Sequence, residues 1–559
     1  MLLTVAVFAN GVTAPFYLDD QQVLERNPTI RSFGAAWRSA PTRRVGMLSF
    51  ALNYRLQGLD VRGFHVANIA LHAMAGLLLF GLVRRVLGLP GMSAVLASRA
   101  TAIAGTVAAL WLLHPLQTGA VTYVVQRLEA LMGLWFLLSL YALLRGATSS
   151  QGTLWYAVAM VAAACGAQTK EVIAVLPVVA LAFDRIFLAS DWRSLFRRRG
   201  WLHLGLLLCS VWIVYQMRGA LGAERAGSAG FGVRSVTPWE YLSSQAGVIL
   251  HYLRLTVWPS VLCLDYQWPV AQAPGEIYLP GAVILMLLAL SGWALRARPA
   301  WGFLGLAFFV ILAPTSSIMP IADLAFEHRM YLPLAPVVVL LVCAAVLLVE
   351  RALTTPEARR LALGSAAAVV VLVCAGRTIV RNRDYADPVR MWTSVLAVNP
   401  RNYRAHNQLA IQLERRGRLD EAERHFQRTL EIRPDAWWVD IGLGNLRVRQ
   451  ERYEDAENHF RRALEHRAGI ALASANLGRL CERCERWPEA ASHYERAVQR
   501  DPGFLDAWKA LAAVQLRLGN EARAREAYRA VLERDPRSRE ARDGLTRLAA
   551  GRRNSQGQQ

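Results

Sequence analysis

Apolar runs of nearly membrane-spanning length fill the first two thirds of this chain. A helix that crosses a bilayer needs about 20 mostly apolar residues. Runs close to that length lie at 1–14, 64–83, 100–113, 120–144, 154–168, 172–189, 201–217, 279–296, 300–313, 332–350 and 361–378. They predict an all-α, polytopic helix bundle of about 11 spans over residues 1–380. The first run is short and lacks the basic start of a signal peptide, so it reads as a span.

Charge supports this division. Residues 1–380 hold 16 acidic and 29 basic side chains, and residues 381–559 hold 26 and 34. Acids are thin in the apolar part and dense in the last third, the pattern of a membrane domain followed by a soluble one. The net charge of +21 would otherwise suggest nucleic acid, but the basic residues cluster in short gaps between apolar runs, so no nucleic-acid partner is expected. Arg84, Arg85 and Arg99, then Arg145, then Arg185, Arg193 and Arg197–Arg199, then Arg296 and Arg298, then Arg351, Arg359 and Arg360 occupy every second gap. Those gaps are expected in the cytoplasm, together with the N-terminus. The long loops 15–63 and 218–278 and the C-terminal third then face outward. Segment 239–258, with Trp239 and Trp258 at its ends, fits this pattern better as an interfacial helix than as a span. Lys occurs only at 170 and 509, a bias that suggests a GC-rich, bacterial genome. The expected place is a cell inner membrane with the C-terminal third periplasmic, or the endoplasmic reticulum membrane with that third lumenal in a eukaryote.

Residues 403–538 repeat with a strict period of 34. Leu409, Leu443, Leu477 and Leu511 recur, each followed by Ala or Gly. Ala422, Ala456, Ala490 and Ala524 follow, and then Phe426, Phe460, Tyr494 and Tyr528. Small residues let paired helices approach and aromatics fill the groove between them. The period identifies four tetratricopeptide repeats at 403–436, 437–470, 471–504 and 505–538, an α-solenoid. Residues 387–402 read as an incomplete repeat or linker, 539–550 as the polar capping helix such an array needs, and 551–559 as a disordered tail. A concave face that binds a protein or peptide is expected, with a rigid spacer as the alternative. Cys481 and Cys484 form C-x-x-C on a repeat helix. With no second pair a zinc site is not indicated, and a strained local disulfide is the alternative on an oxidising side.

Asp19 and Asp20 stand side by side just past the first span, where acids are scarce. They are either a functional pair or two solvated loop acids. His65, His72, His114, Arg127, Glu129, Lys170–Glu171, Asp265, Asp323 and Glu327–His328–Arg329 lie at the same ends of their helices. Lys170 stands where nearly every other cation is Arg, so either the chemistry wants an ammonium or an acid pairs with it. His72 reads as a packing residue. No metal-ligand spacing, phosphate-cradling glycine loop or nucleophile elbow is present, so no cofactor and no divalent metal is expected.

Five stretches carry a family resemblance: YLDDQQVLERNP near the first span, LSFALNYRLQGLDVRGFHVANIALH (48–72), HPLQTGAVTYVVQRLEAL (114–131), TKEVIAVLPVVALAFD (169–184) and PTSSIMPIADLAFEHRMYLP (314–333). In this order, and followed by repeats, the chain resembles the transmembrane and tetratricopeptide-repeat O-mannosyltransferases, which are C-type glycosyltransferases using lipid-phosphate sugars. The resemblance implies catalysis by Asp19 and Asp20. It also implies substrate binding by Lys170 and Glu171 and by Glu327, His328 and Arg329, with Arg127 beside them, and a polyprenyl-phosphate sugar as donor substrate. Relatives often carry an acid where this chain has Gly119. A non-enzymatic scaffold for envelope proteins and a lipid-linked glycan ligase or polymerase are the alternatives.

Overall fold

The computed structural model describes residues 1–221, 229–231, 233, 235–467, 469–536 and 538–556. It divides into two compact units, Met1–Asn399 and Pro400–Gln559. Among the described residues there is no strand, only an isolated antiparallel bridge between Ala229 and Ile321.

In the first unit each of the eleven predicted runs falls on a helix. Six helices are long and apolar enough to cross a bilayer unaided: Val61–Leu87, Val124–Thr148, Trp192–Arg218, Pro274–Ala297, Leu334–Ala352 and Pro356–Ala386. A seventh results if Ala100–Leu113 and Pro115–Val121, bent by 51°, count as one span. Leu2–Gly11, Gly152–Ala167 and Pro299–Leu312 are apolar but shorter. Two further runs are interrupted at the motif-bearing end, beside His114 and at Glu171–Val175. His114 caps a 3₁₀ turn at Pro115–Gln117, and further 3₁₀ turns form at Val124–Gln126, Glu171–Val175 and Glu327–Met330. Each break frees backbone groups that polar side chains then satisfy. The chain is a multi-pass membrane protein.

The central helix Val61–Leu87 packs against Ala100–Leu113 and Arg127–Thr148. Segment 239–258 forms one helix, Pro238–Val257, capped by Thr237 and Glu240, with Trp239 and Trp258 exposed. At 20 residues it is long enough for a span but not apolar enough. Helix Pro356–Ala386 has 31 residues. At 1.5 Å per residue it is about 46 Å long, against roughly 30 Å of hydrocarbon. Its last turns therefore extend beyond the membrane core and past residue 380. Helix Pro388–Val398, within the segment expected to be a partial repeat, lies in the first unit, where the Trp392 ring stands 6.4 Å from Tyr17.

The second unit consists of four helix pairs: Tyr403–Arg415 with Leu419–Ile432, Trp437–Arg449 with Tyr453–His466, Ala471–Arg483 with Trp487–Arg500, and Leu505–Arg517 with Glu521–Arg534. The closing helix, Arg539–Gln556, continues past the expected 550 into the tail expected to be disordered, and 557–559 lie outside the described residues. Each second helix packs on the first helix of the next repeat. Leu477 packs with Phe460 and Leu480, whereas Tyr494 belongs to the following cluster with Ala475 and Cys481. The residue that meets Tyr494 is Gly478, where a Cβ would lie 2.9 Å from the ring. The contact across this helix pair is thus a small residue on an aromatic ring. Cys481 and Cys484 are free thiols.

The same fit recurs at Gly444, where a Cβ would lie 2.4 Å from the Phe460 ring. Gly444→Val is expected to cost about 1–3 kcal/mol by overpacking. Hydrogen exchange of the full-length variant should show lost protection in 437–470 and its neighbours while the first unit keeps its own.

Candidate functional site

The acidic pair is split by the backbone. Leu18 takes a left-handed φ of 40°, and the turn sends the two carboxylates in different directions. Asp20 is fully buried. Its Oδ2 accepts the Tyr17 N–H at 3.0 Å and its Oδ1 the Val125 N–H at 2.6 Å. Burial lifts its carboxyl to about 8 against the pull of those donors. Asp19 is exposed, and its backbone N–H donates to the Tyr123 hydroxyl at 3.2 Å. One acid therefore ties the turn to the 123–125 segment and the other faces outward from it.

Lys170 and Glu171 do not pair with each other. The Lys170 ammonium forms an ion pair with Glu129 and donates to Gln126 Oε1 at 3.3 Å. Glu171 accepts both Arg43 Nε at 3.0 Å and Nη2 at 3.2 Å. Asp19 and Glu129 both act on Arg43, and Lys170 acts on His328, so these groups form one cluster. His328 stacks on Phe326, and burial, with Lys170 and Arg329 beside it, holds its imidazole well below the usual histidine range. That ring is neutral at pH 7.

Three residues expected to touch substrate are engaged inside the protein. Arg127 is 1% exposed and donates to Asn68 Oδ1, Asn53 Oδ1 and the carbonyls of Ser49 and Phe64. Arg329 donates to Tyr241 Oη and to the carbonyls of Thr315, Leu324 and Asp323. Glu327 accepts the Cys263 N–H and the Tyr266 hydroxyl, and burial raises its carboxyl, opposed by Arg381. All three hold loops in place through these bonds, because a buried charge must find partners. His72 bridges Tyr331 Oη and the Leu112 carbonyl, each at 3.0 Å, as a packing residue does. At Gly119 a Cβ would lie 3.2 Å from the His328 nitrogen. A side chain there needs the 327–330 turn to give by a few tenths of an ångström.

Sequence reasoning missed Arg43, Arg381 and Tyr385. Arg43 is one of several loop arginines and carries no local signal. Arg381 had one: a cation just after the last apolar run.

Behind the cluster lies a wholly apolar cavity of about 110 Å³, lined by Leu82, Phe136, Leu140, Phe183, Phe303 and Leu332 among others. Phe136 and Leu140 follow Glu129 by seven and eleven residues on one helix, which places them about 10–16 Å farther along the axis. Among the described residues no group of three or more His, Cys, Asp or Glu is placed to hold a metal ion.

Fold and site together define a polytopic helical membrane protein with a polar cluster at one end of its bundle and a tetratricopeptide-repeat solenoid at its C-terminus. Models of the tetratricopeptide repeat match residues 402–468, 441–503 and 483–548. Over most of its length the chain is similar to proteins named protein O-mannosyl-transferase, the resemblance its motifs indicated. It is 24% identical to protein O-mannosyl-transferase TMTC4 of Mus musculus over 482 residues, covering 75% of this chain and 64% of that protein. It is 25% identical to TMTC4 of Homo sapiens, covering 76% and 64%, and 23% identical to TMTC3 of Mus musculus, covering 72% and 45%. The chain thus spans less than two thirds of these relatives. Among solved structures, the crystal structure of MamA is 19% identical, covering 28% of this chain and 90% of that one, with a TM-score of 0.25.

Proposed function

We propose that the protein transfers a sugar, mannose by the names of its relatives, from a polyprenyl-phosphate donor to a hydroxyl of a protein acceptor at the membrane's outer face. The observation that carries this is the split pair: Asp20 is buried and fixes the turn, and Asp19 stands outward beside Tyr123. Asp19 takes the proton of the acceptor hydroxyl as its oxygen attacks the anomeric carbon. The bond from that carbon to the phosphate oxygen breaks, the phosphate leaves with the electron pair, and the anomeric centre inverts. Supporting this reading, the apolar cavity behind the cluster suits a prenyl chain. Lys170, balanced by Glu129 and near a neutral His328, completes the polar cluster. The repeat array recruits the acceptor or a partner protein on its concave face.

The test is full-length protein in detergent with labelled polyprenyl-phosphate mannose and a serine/threonine peptide. Label in the peptide supports the reading, and its absence, with donor still bound, leaves a membrane-anchored scaffold in its place. A reporter fused after Gln559 checks the side: the outer-face site predicts activity only in the periplasm or the corresponding lumen.

A further inference from the structure

The end of helix Pro356–Ala386 holds a guanidinium whose one edge is unused. Arg381 is 4% exposed. Its Nη1 donates weakly to Asp384 Oδ2 and Ser394 Oγ, both at 3.4 Å. Its Nε and Nη2 have no hydrogen-bond partner among the described residues, and neither does the hydroxyl of fully buried Tyr385. Nε and Nη2 point along the same edge of the fork, two parallel donors at the spacing that matches two oxygens of one anion. Tyr385 is one turn later on the same helix face, with its ring centroid 5.4 Å from the guanidinium carbon.

A buried cation with two unmet donors is costly unless something fills the place. The neighbours say what. The Tyr17 hydroxyl donates to the Tyr385 carbonyl at 2.7 Å, so the place adjoins the turn that carries Asp19. Glu327 also lies near enough to act on Arg381, its Oε1 already holding Cys263 and Tyr266. Asp20 spends its two oxygens on the Tyr17 and Val125 N–H groups and Glu327 its Oε1 on Cys263 and Tyr266, and neither hydrogen-bonds the Arg381 guanidinium. Lys170 and Arg329, the cations that the resemblance implies bind substrate, already have protein partners, Lys170 in Glu129 and Arg329 in carbonyls.

We propose that the Nε–Nη2 edge of Arg381, with the Tyr385 hydroxyl, is the subsite that takes the phosphate oxygens of a lipid-linked phosphate. The identity of the donor rests on the transferase reading, whereas the anion chemistry does not. During transfer this edge receives the charge that builds on the leaving phosphate.

The probes are farnesyl phosphate, farnesol and inorganic phosphate, with binding measured on full-length protein in detergent. Wild type should prefer farnesyl phosphate to farnesol. Arg381→Lys keeps the charge but loses the fork and should weaken farnesyl phosphate by about tenfold or more. Tyr385→Phe removes an oxygen that has no protein partner, so the fold should stand while farnesyl phosphate weakens by roughly tenfold. Farnesol binding should be unchanged in both. Unchanged farnesyl phosphate affinity in both variants overturns the proposal and leaves bridging water at the edge. Inorganic phosphate binding as tightly as farnesyl phosphate overturns the lipid source. Phosphate-dependent binding through Arg381 in a protein that transfers no sugar would support the subsite and sink the transferase reading alone.

Discussion

Asp19→Asn is expected to bind donor and yet transfer sugar about 10²–10⁴-fold more slowly, the usual cost of removing a general base. The amide keeps the shape of the side chain but cannot take the acceptor's proton. The turn itself should survive, because Asp20 holds it through the Tyr17 and Val125 N–H groups. Asp20→Asn should behave differently. An amide presents only one acceptor oxygen to a place where two backbone donors converge, so thermal stability should fall together with transfer. Single-turnover transfer and thermal unfolding, measured on both variants, separate the roles. A normal transfer rate in Asp19→Asn would sink the base assignment. A stability loss in Asp19→Asn equal to that in Asp20→Asn would contradict the split of the pair.

Arg127→Met should be among the most destabilising single changes in the first unit, costing more than about 4 kcal/mol. Methionine has roughly the right length but no donors. It strands the side-chain oxygens of Asn68 and Asn53 and the carbonyls of Ser49 and Phe64 in a place 1% exposed. Each buried acceptor left unmet costs about 1–3 kcal/mol. The guanidinium also lies 4.8 Å from the Phe50 ring and 5.5 Å from the Phe64 ring, contacts that vanish with it. The measurement is thermal unfolding in detergent beside Arg43→Ala, whose half-exposed pair with Glu171 is a weaker link. If Arg127→Met melted at or above the temperature of Arg43→Ala, Arg127 would not be the tie between the 44–57, 61–87 and 127–148 helices.

The helices of both units were legible because their signals are local. A run of apolar residues selects a helix by its own backbone hydrogen bonds in a nonpolar medium. A 34-residue repeat announces a helix pair wherever Leu, a small residue, Ala and an aromatic fall at fixed offsets. The span count was less legible: breaks such as those at His114–Pro115 and Glu171–Val175 look like continuous apolar sequence with a few polar residues beside it.

The site was legible as a set of residue types and not as a set of roles. The sequence alone determined that Asp19, Asp20, Lys170 and Glu327 lie at one end of the bundle, since each follows or precedes an apolar run on the same side. Only the tertiary structure decided which of them face outward. Asp19 and Asp20 are adjacent and chemically identical, and a single left-handed residue, Leu18, separates an exposed acid from a buried one. Lys170 met Glu129 and not its neighbour Glu171, and Arg127 and Arg329 spent their donors on carbonyls from distant segments. The unused edge of Arg381 is likewise a property of what packs around it. The physical reason is the range of the forces: helix formation is settled within a few residues, whereas a buried charge takes whichever partners the folded chain brings within about 3 Å, and sequence distance says nothing about those.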